Sequence, residues 1–309
     1  MINSVRQTVL AIANKHQFGY ITPADFNLYA KQAQLDIFED YFYRYNQWVV
    51  RQNQRNSGTG YADILKNLEE VIDNFSVESP MNNQGNTYTL PNDYYLINKV
   101  VVKTNLLSTG TSTSETSNTL TQSDATFVSQ GVFPGDLISV LKDGVVYDTL
   151  VSNVTETTIT TPLGFNWNED SSLQFAVYRS NNFKESEKLS HTKITMLNSS
   201  NLTSPDLTFP VHTQSSNVIT SHPEAISNIG QLKAQYIRKP KDPNWTYVSV
   251  GGNAMYDIGN INHQDLEIPA TDEPLIISKI LKYIGISIRE ADVYNAAEKA
   301  ETKEQQKQG

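Results

Sequence analysis

The residues that could do chemistry are few and poorly grouped. Asp36, Glu39 and Asp40 fall close together, as do Glu69 and Glu70, and paired carboxylates are the machinery of glycoside hydrolysis. Both groups sit at helix-like spacing, where neighbouring positions of one helix cannot form the opposing walls of a cleft. They are read as solvated faces, or as partners of Arg44, Lys66 or Arg51 across a helical hairpin. The five histidines, His16, His191, His212, His222 and His263, are far apart in segments read mostly as loops, so no local metal pair is visible. The chain has no Gly-rich loop ending in Lys-Ser or Lys-Thr, no G-x-S-x-G elbow and no H-E-x-x-H; these are the usual local signatures of phosphate, acyl and zinc chemistry. Cysteine is absent, which removes disulfides, thiolate metal sites and a thiol nucleophile, and fits folding in a reducing cytoplasm. No catalytic, cofactor-binding or metal residue is assigned, and the chain is read as non-enzymatic.

The elements behind these residues suggest an α+β protein. At 309 residues with 38% hydrophobic content the chain can bury a proper core. Thr22 and Pro23 have the types of a helix cap and first position, with Asp25 near the positive end and Ile21 and Phe26 at the staple positions. Behind them Phe26, Ala30, Ala33, Ile37, Tyr41, Tyr45 and Trp48 keep a spacing of three and four. A helix from Pro23 to about Gln54 follows, about 45–50 Å long. After a break at 56–60, Ile64, Leu65, Leu68, Val71, Ile72 and Phe75 mark a second helix. Strand grammar begins after Pro80. The Ser/Thr-rich tract 108–123 reads as a loop or linker. The stretch 125–178, with turns at Pro134-Gly135, Asp143-Gly144 and Pro162-Leu163-Gly164, reads as an inserted small β-barrel or sandwich.

Further on, Ser221-His222-Pro223-Glu224 has the pattern of a short helix start, and 232–238 with 245–250 reads as a hairpin. A C-terminal helix is expected from Asp272, with Ile277, Ile280, Leu281, Ile284 and Ile288 inward and Ala291 and Tyr294 extending the stripe. The polar tail 298–309 is expected to fray alone. The expected domains are 1–104 (helical hairpin and first strands), 105–180 (linker and inserted β-domain) and 181–309 (return strands, hairpin and C-terminal helix). Tyr41, Phe42, Tyr43, Tyr45 and Trp48 crowd one helix, so rings point in several directions and some need a second chain. Tyr43, Arg44, Gln47, Trp48 and Arg51 are the candidate interface residues.

Net charge is −9, which argues against broad gripping of a phosphate backbone. No apolar run approaches a bilayer span, and 9–13 is too short for a signal core, so no membrane partner is expected.

The run Tyr20-Ile21-Thr22-Pro23-Ala24-Asp25-Phe26-Asn27-Leu28-Tyr29-Ala30-Lys31-Gln32-Ala33-Gln34, with Phe38-Glu39-Asp40-Tyr41, resembles structural proteins of crAss-like tailed phages. Leu90-Pro91-Asn92-Asp93-Tyr94, then Tyr236-Ile237-Arg238-Lys239-Pro240, then a C-terminal amphipathic helix, is similar to head-to-tail adaptors of short-tailed phages. The resemblance implies a virion protein, made in the host cytoplasm, that forms a homo-oligomeric ring, most often twelvefold. Its neighbours would be the portal protein and adjacent tail rings, with viral DNA passing through the lumen unread. An alternative is a tail accessory or host-receptor module, in which Phe165 and Trp167 of the insertion stack on glycans.

Overall fold

The computed structural model describes residues 1–13, 21–54, 62–162, 167, 172–288, 298–299 and 301–303. The fold is α+β, as the sequence suggests. In chain order the helices are α1 (Ile2–Ala13), α2 (Pro23–Gln54), α3 (Ala62–Asp73), α4 (His191–Asn198) and α5 (Glu273–Ile288). The strands are β1 (Ser76–Pro80), β2 (Asn82–Gln84), β3 (Thr87–Thr89), β4 (Tyr94–Lys103), β5 (Leu106–Thr111), β6 (Ser114–Glu115), β7 (Thr119–Thr121), β8 (Leu137–Lys142) and β9 (Val145–Leu150). They continue as β10 (Asn153–Val154), β11 (Thr158–Thr160), β12 (Gln174–Tyr178), β13 (Phe183–Lys188), β14 (Val211–Ser215), β15 (Val218–His222), β16 (Leu232–Arg238), β17 (Tyr247–Val250) and β18 (Asn253–Tyr256). By contact density the chain forms two compact units, 1–75 with 239–309, and 76–238. The cuts fall at Phe75 and Arg238.

In the first unit α2 begins as its residue types predict. Thr22 Oγ1 accepts from the Asp25 amide at 3.1 Å, and Ile21 and Phe26 are both buried. Phe26, Ala30, Ala33, Ile37 and Tyr41 form the inward face, packed in one core with Ile2, Val5 and Val9 of α1 and Leu275, Ile276, Ile280 and Ile284 of α5. Tyr41 Oη donates to Asp272 at 2.5 Å inside this core. The expected pairing of 232–238 with 245–250 does not form. β17 pairs with β18 instead, because Gly251 and Gly252 both take positive φ and supply the tight two-residue turn. The tail also differs where it is described. Residues 301–303 are helical, and Glu301 is held by Lys279 at 2.9 Å and Lys282 at 3.5 Å. Ile288, Ala291, Tyr294 and 304–309 lie outside the described side chains.

The second unit is built on an eight-stranded sheet in the order β1-β16-β4-β13-β14-β15-β3-β2. Its two edge strands are consecutive in sequence with only Met81 between them, so one residue joins opposite edges and the sheet must curl almost shut. Met81 N donates to Leu232 O at 3.0 Å, carrying the β1–β16 ladder one step further before the chain crosses to the other edge. Met81, Tyr88, Leu90, Val100, Val102, Ile219, Leu232 and Ala234 fill the interior. The Ser221 to Glu224 segment starts no helix. Ser221 lies in β15, and its hydroxyl donates to Asn86 O and Ile226 O at 3.0 Å each instead of capping an amide.

Between β4 and β13 the chain builds two four-stranded sheets, β5-β12-β8-β9 and β10-β11-β7-β6, around Leu120, Phe127, Val132, Ile138, Val140, Ile159, Trp167 and Phe175. The Ser/Thr tract is part of this body, not a linker. Ser112 Oγ accepts from Leu173 N at 2.8 Å, Thr113 Oγ1 donates to Thr121 O at 3.1 Å, and Leu120 is 1% exposed. The hydroxyls satisfy backbone groups, and β-branched Thr suits a strand, so low apolar content does not prevent order.

The insertion is fastened to the barrel at its neck. Lys103, the last residue of β4, has 0% exposure, and its Nζ donates to Asp148 at 2.6 Å and Ser139 at 2.9 Å in the insertion. Burial pulls the Lys103 pKa down from its usual value, against the Asp148 carboxylate that favours the charged form. Gly230 packs so closely that an added Cβ would stand 2.6 Å from Ser139 Cβ. Removing one member of a buried pair strands the other charge. Lys103→Ala is therefore expected to lower stability by about 3–5 kcal/mol, and the Lys103→Met/Asp148→Leu double variant to recover most of that loss, both read by urea unfolding.

Candidate functional site

Three of the five carboxylates singled out in the sequence, Asp36, Asp40 and Glu69, have structural partners, and Glu39 and Glu70 are exposed. Asp36 accepts from Tyr283 Oη of α5 and from Gln32 Nε2 at 3.0 Å, Asp40 pairs with Arg44 at 3.1 Å, and Tyr45 Oη donates to Glu69 at 3.4 Å. No group of three or more potential metal-ligating side chains converges among the described residues. The histidines are less loop-bound than expected: His191 opens α4, His212 lies in β14 and His222 ends β15. His263 contacts Tyr256 in the first unit, and His16 lies outside the described residues.

His212 is the one functional candidate the sequence reading undervalued. It is 3% exposed at the floor of a cleft of about 420 Å³ in the second unit, between β4, β13 and β14. Its Nδ1 is 2.9 Å from Ser186 Oγ. Burial and the nearby Lys188 ammonium hold its pKa down to about 4, against the opposing pull of a hydrogen bond to the Ser186 backbone, which favours the protonated ring. A serine–histidine contact suggests nucleophile and base, but a base of that pKa is a poor acceptor for a serine proton at neutral pH. The pair serves better as a neutral polar floor. At the rim, Lys99 pairs with Glu185 at 3.1 Å and Lys188 Nζ donates to Gln214 at 2.6 Å. Tyr94, Leu96 and Ile97 line one wall. The period-2 pattern of β14, Val211, Thr213 and Ser215 against His212 and Gln214, was the available signal that His212 belongs to a strand.

The five candidate interface residues do not share one face. Tyr43 is 62% exposed and Gln47 is exposed, and with Val50 at 54% they form a stripe at i, i+4 and i+7 on the side of α2 away from Ile37 and Tyr41. Arg44 is half-buried against Asp40, and Trp48 is half-buried on the inward side. The Arg51 side chain lies outside the described ones. Trp167, proposed for sugar stacking, is 1% exposed, with its indole N–H donating to Thr161 Oγ1 at 3.1 Å. It is core, and Phe165 lies outside the described residues.

Large apolar side chains are exposed elsewhere too. In the second unit they lie on α4 and in the segment after it, with Met196 at 68%, Leu202 at 94% and Phe209 at 74%. In the first they lie on the β17–β18 hairpin and just beyond it, with Val250 at 54%, Met255 at 57% and Ile261 at 95%. Clusters of this kind mark interaction surfaces more often than chemistry.

No protein-family model matches the chain, and no curated protein is similar to it in sequence. No helix among the described residues is long and apolar enough to cross a membrane.

His212 sets a pH dependence. Its folded pKa of about 4 lies below the unfolded value of 6.5, so between these values the unfolded chain binds the extra proton. The stability is fully present above pH ~6.5 and is lost as pH falls toward ~4, by up to about 3 kcal/mol. His212→Gln is expected to flatten that slope in urea unfolding measured from pH 7 to pH 4.

Proposed function

We propose that this protein is a non-enzymatic structural subunit of a closed ring that joins the head of a tailed virus to its tail. The observation that carries the reading is α2. At 32 residues it buries Phe26, Ala30, Ala33, Ile37 and Tyr41 on one side and leaves Tyr43, Gln47 and Val50 bare on the other. A rod with one face in the core and another presented sideways suits a cyclic assembly, in which each subunit must offer two unlike patches. The exposed apolar groups around Leu202 and Ile261 are consistent with further contacts. The net charge of −9 fits a wall along which DNA slides without being held, since like charge repels the backbone. The twelvefold number, the portal and tail-ring neighbours, and a place in the virion rest on the sequence resemblance alone.

Purified full-length protein, examined by sedimentation velocity and electron microscopy, is expected to show rings with an axial hole. Tyr43→Ala with Val50→Ala should change monomer stability by less than about 0.5 kcal/mol, as exposed substitutions usually do. The same variant should weaken ring formation, because an aromatic anchor is lost. Normal assembly of the variant, or unfolding of its monomer, would remove this face of α2 from the interface.

A further inference from the structure

Strand β13 serves two neighbours in succession. Phe183 to Ser186 pair with Lys103 to Val100 of β4, and then Glu187 and Lys188 pair with Val211 and His212 of β14. Leu189 N donates to His212 O at 2.9 Å, after which the chain turns away into α4. β4 and β14 both continue past this point. Among the described residues, Leu96 to Lys99 are laddered only to β16, and Thr213 to Ser215 only to β15. The facing edges of β4 and β14 border the cleft that His212 floors, and Tyr94 Oη closes its far end by donating to Ser216 O at 3.2 Å. With strands about 4.8 Å apart, the space is that of one missing strand.

We propose that this gap accepts an extended, uncharged strand from a second copy of this chain. Backbone groups on two facing edges give the recognition chemistry of strand addition, and the inserted chain would be laddered on both sides. Charge restricts what fits. Lys99 and Lys188 at the rim are balanced by Glu185 and Glu187, so the gap offers no net attraction to offset the hydration that a charged insert would lose on entering it. The chain itself carries two uncharged, exposed segments outside its helices and strands: 199–205 after α4, with Leu202 at 94% exposure, and 258–262 after β18, with Ile258 at 71% and Ile261 at 95%; both are folded mainly in turns and would have to extend to enter the gap. A second copy therefore brings both acceptor and donor, as a cyclic contact requires. The inference rests on the ring reading for its occupant but makes a separate claim about where the contact lies.

The chain has no cysteine, so Leu96→Cys places one attachment point in the gap wall, at a residue 49% exposed. Folded full-length variant is labelled with fluorescein maleimide and compared with unlabelled variant by sedimentation velocity and electron microscopy. Val128→Cys, at a residue 41% exposed on the insertion, is the labelled control. The unlabelled protein and the labelled control should assemble, and labelled Leu96→Cys should need at least about tenfold higher concentration, or about 1.4 kcal/mol of lost contact. Rings that form equally well with the Leu96 label overturn the gap contact and leave the ring reading standing. An open oligomer or dimer lost only with the Leu96 label supports the gap contact and overturns the ring. Unlabelled protein that stays monomeric overturns both, and equal loss with either label overturns the gap contact.

Discussion

The buried ammonium of Lys103 is the interaction on which the second unit depends. It sits where the chain leaves the barrel, one residue before the insertion begins, and its charge is neutralised inside the insertion by Asp148 at 2.6 Å. A charge with no exposure cannot be left without its partner, so the insertion cannot swing away without stranding it. Neighbouring contacts are consistent with a fixed neck. Asn82 Oδ1 accepts from Val146 N at 2.9 Å, Tyr178 Oη donates to Ile229 O at 2.8 Å, and Gly230 leaves no room for a side chain beside Ser139. What looks in sequence like a module on a flexible tether is a rigid extension of the barrel wall.

That rigidity bears on the strand gap. β13 starts from the neck, pairing Phe183 with Lys103, so its register on β4 is set by where the insertion returns. It can cover β4 only from Lys103 to Val100 before crossing to β14, and the lower part of β4 is left with one neighbour. An exposed strand edge invites pairing with other chains, and proteins blunt such edges with charge and twist. Here the charged rim does so, together with register shifts in the β4–β16 ladder at Gln235/Tyr236 and Ile237/Arg238. Random edge-to-edge association is discouraged while room for one strand remains.

Much of this was legible in the sequence, and the failures have physical causes. The α2 boundaries follow from Thr22, Pro23 and an unbroken apolar spacing, all local signals. α1 carries an equally good spacing in Ile2, Val5, Val9 and Ala13, but the carboxylate that receives the Ile2 amide is Asp265 Oδ1 at 2.6 Å. A cap supplied from the far end of the chain leaves no local start signal. The Ser/Thr tract misleads because hydroxyls that bond to backbone substitute for the apolar content expected of a strand. Of the proposed site, Tyr43 and Gln47 were identifiable by their place opposite the core stripe. Trp48 already stood on the core stripe by its spacing from Tyr41 and Tyr45, whereas Arg44 was not separable from Tyr43, since whether its side chain folds back onto Asp40 is decided in three dimensions. The gap itself could not be read at all, because it depends on β13 changing partners.

On the proposed ring reading, the two contact surfaces also suit a subunit that would have to persist as a monomer before assembly. A continuous apolar stripe along α2 would drive indiscriminate association, yet Gln47 divides Tyr43 from Val50 and the acidic and amide side chains around them stay solvated. The gap is polar at rim and floor, so water can satisfy its backbone groups until a strand replaces it. Neither surface supplies much hydrophobic driving force alone, and each becomes favourable only when a partner matches its geometry. In a ring every subunit makes each contact twice, once as donor and once as acceptor. Weak, geometrically strict contacts would then add up around the proposed circle, so that closure, and not any single pairwise encounter, would stabilise it.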